Sequence, residues 1–206
     1  MKRIASPWFL AALPAGVLLW VGVSGADPQK VSAVSRADAL QAFDTVQKVL
    51  QHPRCQNCHI PGDAPLQFDA GLVHAQNVRR GPEGKGVAGL PCSSCHGESN
   101  PPASYGANQP PGAPNWHLPP PEQKMVFINL AKADLCAVVK DPQKNGGKDL
   151  AALLEHVSHD KLVLWGWAPG AGRAPVPIPH DVFVASFKTW IDGGAPCPEK
   201  APTRAR

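Results

Sequence analysis

The stretch Cys55-Gln56-Asn57-Cys58-His59 decides how this chain is read, because the pattern returns as Cys92-Ser93-Ser94-Cys95-His96. Cys-x-x-Cys-His is the spacing of a c-type haem attachment site. Two thiols three residues apart each reach a vinyl edge of one porphyrin, and the following imidazole stands beneath the iron as an axial ligand. One such pentapeptide arises by chance. Two in one chain point to two covalently bound haem c groups, held through Cys55, Cys58, His59, Cys92, Cys95 and His96.

Three other uses of paired cysteines fit less well. The 33 residues between Cys58 and Cys92 exceed the usual spacing of zinc ribbons. A thiol–disulfide oxidoreductase sets its pair at a strand–helix junction, and no βαβ pattern is visible here. Structural disulfides suit an oxidising compartment but leave the histidine after each pair without a reason.

Working outward, the composition agrees with a cofactor-filled interior. The 206 residues include 19 Gly and 24 Pro, about a fifth of the chain, yet only 6% aromatics. Pro removes a backbone donor and Gly costs conformational entropy, so long sheets and tidy bundles are disfavoured. A chain so rich in loops is short of core material, and its haem-free form is expected to be largely unfolded.

The N-terminus reads as an export signal over residues 1–26. Lys2 and Arg3 precede an almost wholly apolar run from Ile4 to Val23, and Ser24, Gly25 and Ala26 form a small-residue exit. A retained anchor is the rival, since about twenty apolar residues can span a bilayer. Pro7, Pro14 and the small-residue exit favour cleavage before Asp27, leaving one domain over 27–206 in the periplasm or outside the cell. No second segment is long and apolar enough to cross a membrane. Loss of Lys2 and Arg3 lowers the formal charge from +4 to +2, which leaves no electrostatic footprint for nucleic acid.

The mature chain reads as mainly α, with short helices and long Pro/Gly-rich loops. Ser35 caps a first helix that runs to His52, with Ala39, Phe43, Val46 and Leu50 as its apolar stripe. Residues 60–90 are irregular and punctuated by glycine. Residues 98–121 carry eight prolines in 24 positions, an extended loop that Trp116 and Leu118 pack onto the body. Pro121 is suited to open a helix through Val126 and Phe127. Another short helix carries Leu135, Cys136, Val138 and Val139. Asp149–Asp160 follows with Leu150, Leu153, Leu154 and Val157 on one face. After a bend over 169–179, a final helix spans about Asp181–Asp192 and ends at Gly193-Gly194. No strand alternation stands out.

Cys136 and Cys197 are expected to form a disulfide in an exported chain. Six histidines remain for the distal positions, while mature methionine is Met125 alone, so at least one haem lacks a His/Met pair. Met125 sits among Val126, Phe127 and Ile128 and suits a core role. Taking Leu150 as zero and about 100° per residue, His156 falls near 240°, at the border of the apolar stripe, and His159 near 180°, opposite it. His156 is therefore the stronger candidate. His74 lies in a loop between the two attachment sites, behind Leu72 and Val73, where a ligand can return to iron. His117 beside Trp116 competes with it. His52 is weaker, and a capping role suffices for His180. Arg79, Arg80 and Arg173 are candidate partners for haem propionates.

With these residues in view, the chain resembles small exported dihaem c-type cytochromes, some of which carry the label isoquinoline 1-oxidoreductase subunit. The resemblance covers most of residues 36–198. It rests on both Cys-x-x-Cys-His motifs, on His74-Ala75-Gln76-Asn77-Val78-Arg79-Arg80-Gly81, and on Asn145-Gly146-Gly147. Trp165-Gly166-Trp167-Ala168-Pro169-Gly170 and Ala195-Pro196-Cys197-Pro198 extend it. It implies a cytochrome c-like dihaem domain, favours His74 as a ligand, and implies that His156 or His159 supplies another. The chain has no feature of a molybdenum hydroxylase catalytic subunit, so such a label implies at most an electron-accepting partner. The expected function is single-electron transfer between redox protein partners. The alternative is a haem enzyme, a peroxidase or small-molecule reductase with one five-coordinate haem. A third class, an interaction module, has only the proline-rich loop as a hint.

Overall fold

Helix α1 (Arg36–Leu50) starts where Ser35 accepts a hydrogen bond from the Asp38 amide at 3.1 Å and donates its own hydroxyl to the Asp38 carboxylate. This reciprocal cap satisfies donors that a helix N-terminus otherwise leaves open. The helix buries Ala39, Phe43, Val46, Val49 and Leu50, the face that its sequence periodicity marks. Pro53 both stops α1 and opens the single turn α2 (Pro53–Gln56), where its missing N–H is harmless. The computed structural model describes residues 33–200; the export signal expected over 1–26 lies outside them.

Residues 61–131 are mostly loop, with two minimal antiparallel ladders that the sequence did not announce. Strand β1 (Leu66–Gln67) pairs with β2 (Leu72–Val73), and β3 (Gly86–Val87) pairs with β4 (Leu90–Pro91). Close backbone crossings fix the loop's course. A Cβ on Gly81 would lie 1.9 Å from the Gly86 carbonyl oxygen, and one on Gly84 equally close to that of Leu118. Both glycines also have positive φ, so no other residue fits without strain.

The guanidinium of Arg80, 1% exposed, knits the same region. It donates to the carbonyls of Ile60, Gly62 and Pro119 and faces Asp63 at 3.5 Å. The proline-rich loop packs on the body as expected. Asn100 donates to the Ala168 carbonyl at 2.7 Å and accepts from Gly112 and from the Trp165 indole.

Helices α3 (Lys132–Lys140), α4 (Leu150–His159), α5 (Lys161–Leu164) and α6 (His180–Asp192) complete the helical part. Asp149 caps α4 by accepting from the Ala152 amide, and Asn145 shapes the preceding turn through bonds to Val139 and Lys148. The helix expected from Pro121 through Phe127 is instead one 3-10 turn, Pro121–Gln123. Met125 adopts φ 45°, outside the helical region, and the Phe127 amide turns away to bond the His59 carbonyl at 2.9 Å. A tertiary contact overrides the local start signal.

Helix α6 packs chiefly on α1 and also on α4. Phe43 and Trp190 meet with ring centres 5.0 Å apart, and Phe183, Phe187, Leu135, Val139 and Leu153 close the core around them. Burying each such large side chain is worth about 1.5–3 kcal/mol. The Cys136–Cys197 disulfide forms as expected and ties α3 to the segment after α6. The fold is thus mainly α, with a packed helical part and a long looped part. Among the described residues no helix is long and apolar enough to cross a membrane.

Candidate functional site

Both Cys-x-x-Cys-His segments fold into the same turn. In the first, the amides of Cys58 and His59 donate to the Cys55 carbonyl at 3.2 and 3.3 Å. In the second, those of Cys95 and His96 donate to the Cys92 carbonyl at 3.2 and 3.0 Å. This turn brings both thiols and the imidazole of each motif to the wall of one cavity. The first cavity, about 320 Å³, is lined by Cys55, Cys58 and His59 against Val139, Leu153 and Phe187. The second, about 450 Å³, is lined by Cys92, Cys95 and His96 against Leu66, Val78 and Pro110. Both volumes fall in the range of cofactor pockets.

The two motif histidines are held alike. His59 Nδ1 donates to the Met125 carbonyl at 2.8 Å, and its ring stacks on Phe127 at 3.9 Å. His96 Nδ1 donates to the Pro111 carbonyl at 2.8 Å, and its ring stacks on Trp116 at 4.5 Å. A carbonyl can only accept, so each Nδ1 carries the proton and each Nε2 keeps a free lone pair. Metal-bound histidines are oriented in this way. Burial, and then the neighbouring charges of His156, Arg80 and His117, push the His59 imidazole down to about 4 despite the opposing Met125 bond. Burial also lowers His96. Both rings are neutral at pH 7, the form that binds metal.

Three of the motif thiols, Cys55, Cys58 and Cys92, are not nucleophiles in waiting. Burial, followed by the neighbouring Cys58, pushes the Cys55 thiol up to about 12, and burial pushes Cys58 up to about 11. Cys92 is also raised, again chiefly by burial. All four motif cysteines stand as thiols, unlike Cys136 and Cys197. The raised thiols of Cys55, Cys58 and Cys92 lack the activation that thiol–disulfide exchange requires.

Among the remaining histidines, His74 lines the second cavity and His156 the first. His74 follows β2 directly, is pinned by its amide bond to Pro65, and donates Nδ1 to the Ala75 carbonyl at 2.9 Å. Its ring centre lies 6.2 Å from that of His96. Two metal–nitrogen bonds of about 2 Å each, plus the ring radius at either end, span about that distance. His156 faces Asp160 through Nδ1 at 3.4 Å, a carboxylate–imidazole pairing of the kind that orients ligands. Hydrogen bonding to His156 is the main cause that holds Asp160 down at about 2.

His117 lines both cavities and donates Nδ1 to the Asn115 carbonyl. His159 is largely exposed, pairs with Glu155, and lines neither cavity. Met125 lines the first cavity and holds His59 through its backbone oxygen. His52 caps α2 through the Arg54 amide, and His180 bonds the Val157 carbonyl.

The proposed arginine partners separate. Arg80 is consumed by loop carbonyls, and Arg79 reaches only Asn77 at the surface. Neither lines a cavity, whereas Arg173 lines the second. Sequence reasoning missed Arg54, which lines both, and the indole of Trp165 beneath it at 5.8 Å. Its position directly before Cys55 is the one available signal.

Two thiols and an imidazole at the wall of each cavity are a donor set that fits a porphyrin. Among the described residues no three His, Cys, Asp or Glu side chains converge as a bare ion requires. A macrocycle bringing its own nitrogens needs only an axial pair, plus thiols at its edge. Comparison with protein-family models, curated proteins and solved structures finds no match to this chain.

Proposed function

We propose that the chain is an exported, cytochrome c-like dihaem protein that carries single electrons between redox protein partners. The observation that carries this reading is the repeated turn, which twice presents two thiols and a neutral, Nε2-free imidazole to an apolar cavity. Cys55 and Cys58 would hold one haem and Cys92 and Cys95 the other, through thioethers, with His59 and His96 as the motif-side ligands. The bound group supplies one-electron exchange between ferrous and ferric iron.

The chain's own residues tune that exchange. The Met125 and Pro111 carbonyls orient His59 and His96 and raise the basicity of their Nε2 atoms. The 6.2 Å separation of His74 from His96 supports a His/His pair at the second site. His156, steadied by Asp160, supports the same arrangement at the first. Holding the haems through His59 with His156 and through His96 with His74 would leave no position open to peroxide or oxygen, and would favour a lower potential than a His/Met pair. An electron carrier needs closed irons; the alternative haem enzyme needs one open.

The test is periplasmic expression with haem-maturation machinery, followed by a pyridine haemochrome assay. Two covalent haems per chain are expected, and none would end the reading. His74→Ala is expected to change the coordination spectrum of one haem. An unchanged spectrum would move that role to His117.

A further inference from the structure

Five residues line both cavities: Arg54, Cys58, Trp116, His117 and Trp165. Only one of them carries a fixed charge. The Arg54 side chain is 3% exposed and lies over the Trp165 ring. One of its terminal nitrogens pairs with Asp69, whose other oxygen accepts from the Ala174 amide. Its Nε–H is buried and has no partner. A buried charged donor left unsatisfied is destabilising. The Arg80 Nε–H also lacks a hydrogen-bond partner, but it faces Asp63 at 3.5 Å and Arg80 lines neither cavity. Arg54 lines both, and its Nε–H calls for an anionic acceptor. Arg173 differs from it, since it reaches the second cavity alone.

Resting on the dihaem reading, we propose that Arg54 is an anion receptor shared by both cavities. It pairs with carboxylates of the two bound porphyrins and holds both reduction potentials up together. Reduction adds one negative charge to each centre, so a fixed cation between them favours both reduced forms. At an effective dielectric near 20, a unit charge about 12 Å away changes an equilibrium constant about tenfold. The planar fork and permanent charge of Arg suit carboxylate recognition in a buried site.

The experiment is a spectroelectrochemical titration of the haem-loaded parent and of Arg54→Gln, Asp69→Asn and Arg173→Gln, with haem content measured in each. Arg54→Gln is expected to lower both midpoint potentials, each by about 59 mV for a tenfold change in a one-electron couple. Arg173→Gln is expected to lower one. Asp69→Asn, at a half-exposed position that tolerates change, is expected to raise both slightly. It decides the matter if Arg54→Gln does not fold. A loaded parent whose two potentials ignore both Arg54→Gln and Asp69→Asn overturns this inference alone. Arg54→Gln moving only one potential overturns it too. A parent that takes up no haem overturns the dihaem reading itself, and the two failures are told apart by the haem assay.

Discussion

The two attachment sites share a turn but not a foundation. The first is built against α1, α3, α4 and α6, with Val49, Leu50, Val139, Leu153, Phe183 and Phe187 in its wall. The second is walled by β1, the loops around residues 75–78 and 108–111, and the turn before His96. The helical part also has a core of its own, centred on Phe43, Trp190 and Phe187. The looped part relies on Arg80, Asn100 and two glycine crossings. The expectation of a largely unfolded haem-free chain therefore divides in two. The helical part is expected to persist without haem, and the looped part is not.

The largest expected effect comes from breaking the core of the helical part. Phe43→Ala removes a fully buried ring against Trp190 and is expected to cost about 3–5 kcal/mol. Denaturant unfolding should register the loss, with both sites affected. An effect confined to the first site would mean that the looped part stands independently.

Next in size is the disulfide. Cys136 and Cys197 close a separation of 61 residues, and losing that constraint is worth about 4 kcal/mol by chain entropy. Cys136→Ser with Cys197→Ser should lower the unfolding midpoint while both Cys-x-x-Cys-His turns keep their haems. Haem loss from the second site first would argue that the disulfide serves the loops.

A third change acts at a ring that lines both cavities but stacks on the second motif's histidine. Trp116→Ala removes the ring stacked on His96 and the edge contact to Trp165. It is expected to loosen one haem's coordination and to expose residues 98–121 to protease, with far-ultraviolet dichroism of the helices nearly unchanged. Collapse of the helical signal would contradict the division.

Legibility in the sequence follows the same divide. The stripes of α1, α4 and α6 obey helical spacing and were readable, as were the disulfide and both motifs, because their signals are local or countable. His156 was readable from its angle on α4, and the structure brings it to the first cavity. The helix from Pro121 failed because Phe127 bonds back to His59, 68 residues earlier. Arg80 and Arg54 could not be told apart in sequence. One is spent on carbonyls 18 to 39 residues away, the other opens onto both cavities, and only the course of the loops decides which.

The smallest expected effect is a pH dependence of the looped part. Lys124 holds the Asp63 carboxyl below its usual 3.8 through a hydrogen bond, with Arg80 adding its charge. A carboxyl depressed in the folded state stabilises above the unfolded value and loses that contribution as pH falls through the folded one. Melting temperature should therefore drop slightly below about pH 3.8. Asp63→Asn should flatten that part of the profile, and Asp63 is exposed enough to keep the effect small.

On the proposed reading, His59 with His156 and His96 with His74 would leave neither iron an open position. Carbon monoxide titration of the reduced, haem-loaded protein tests it most directly. The account predicts two low-spin haems whose spectra ignore the gas. A spectrum in which one haem is high-spin and binds carbon monoxide would contradict it and turn the chain from carrier to enzyme.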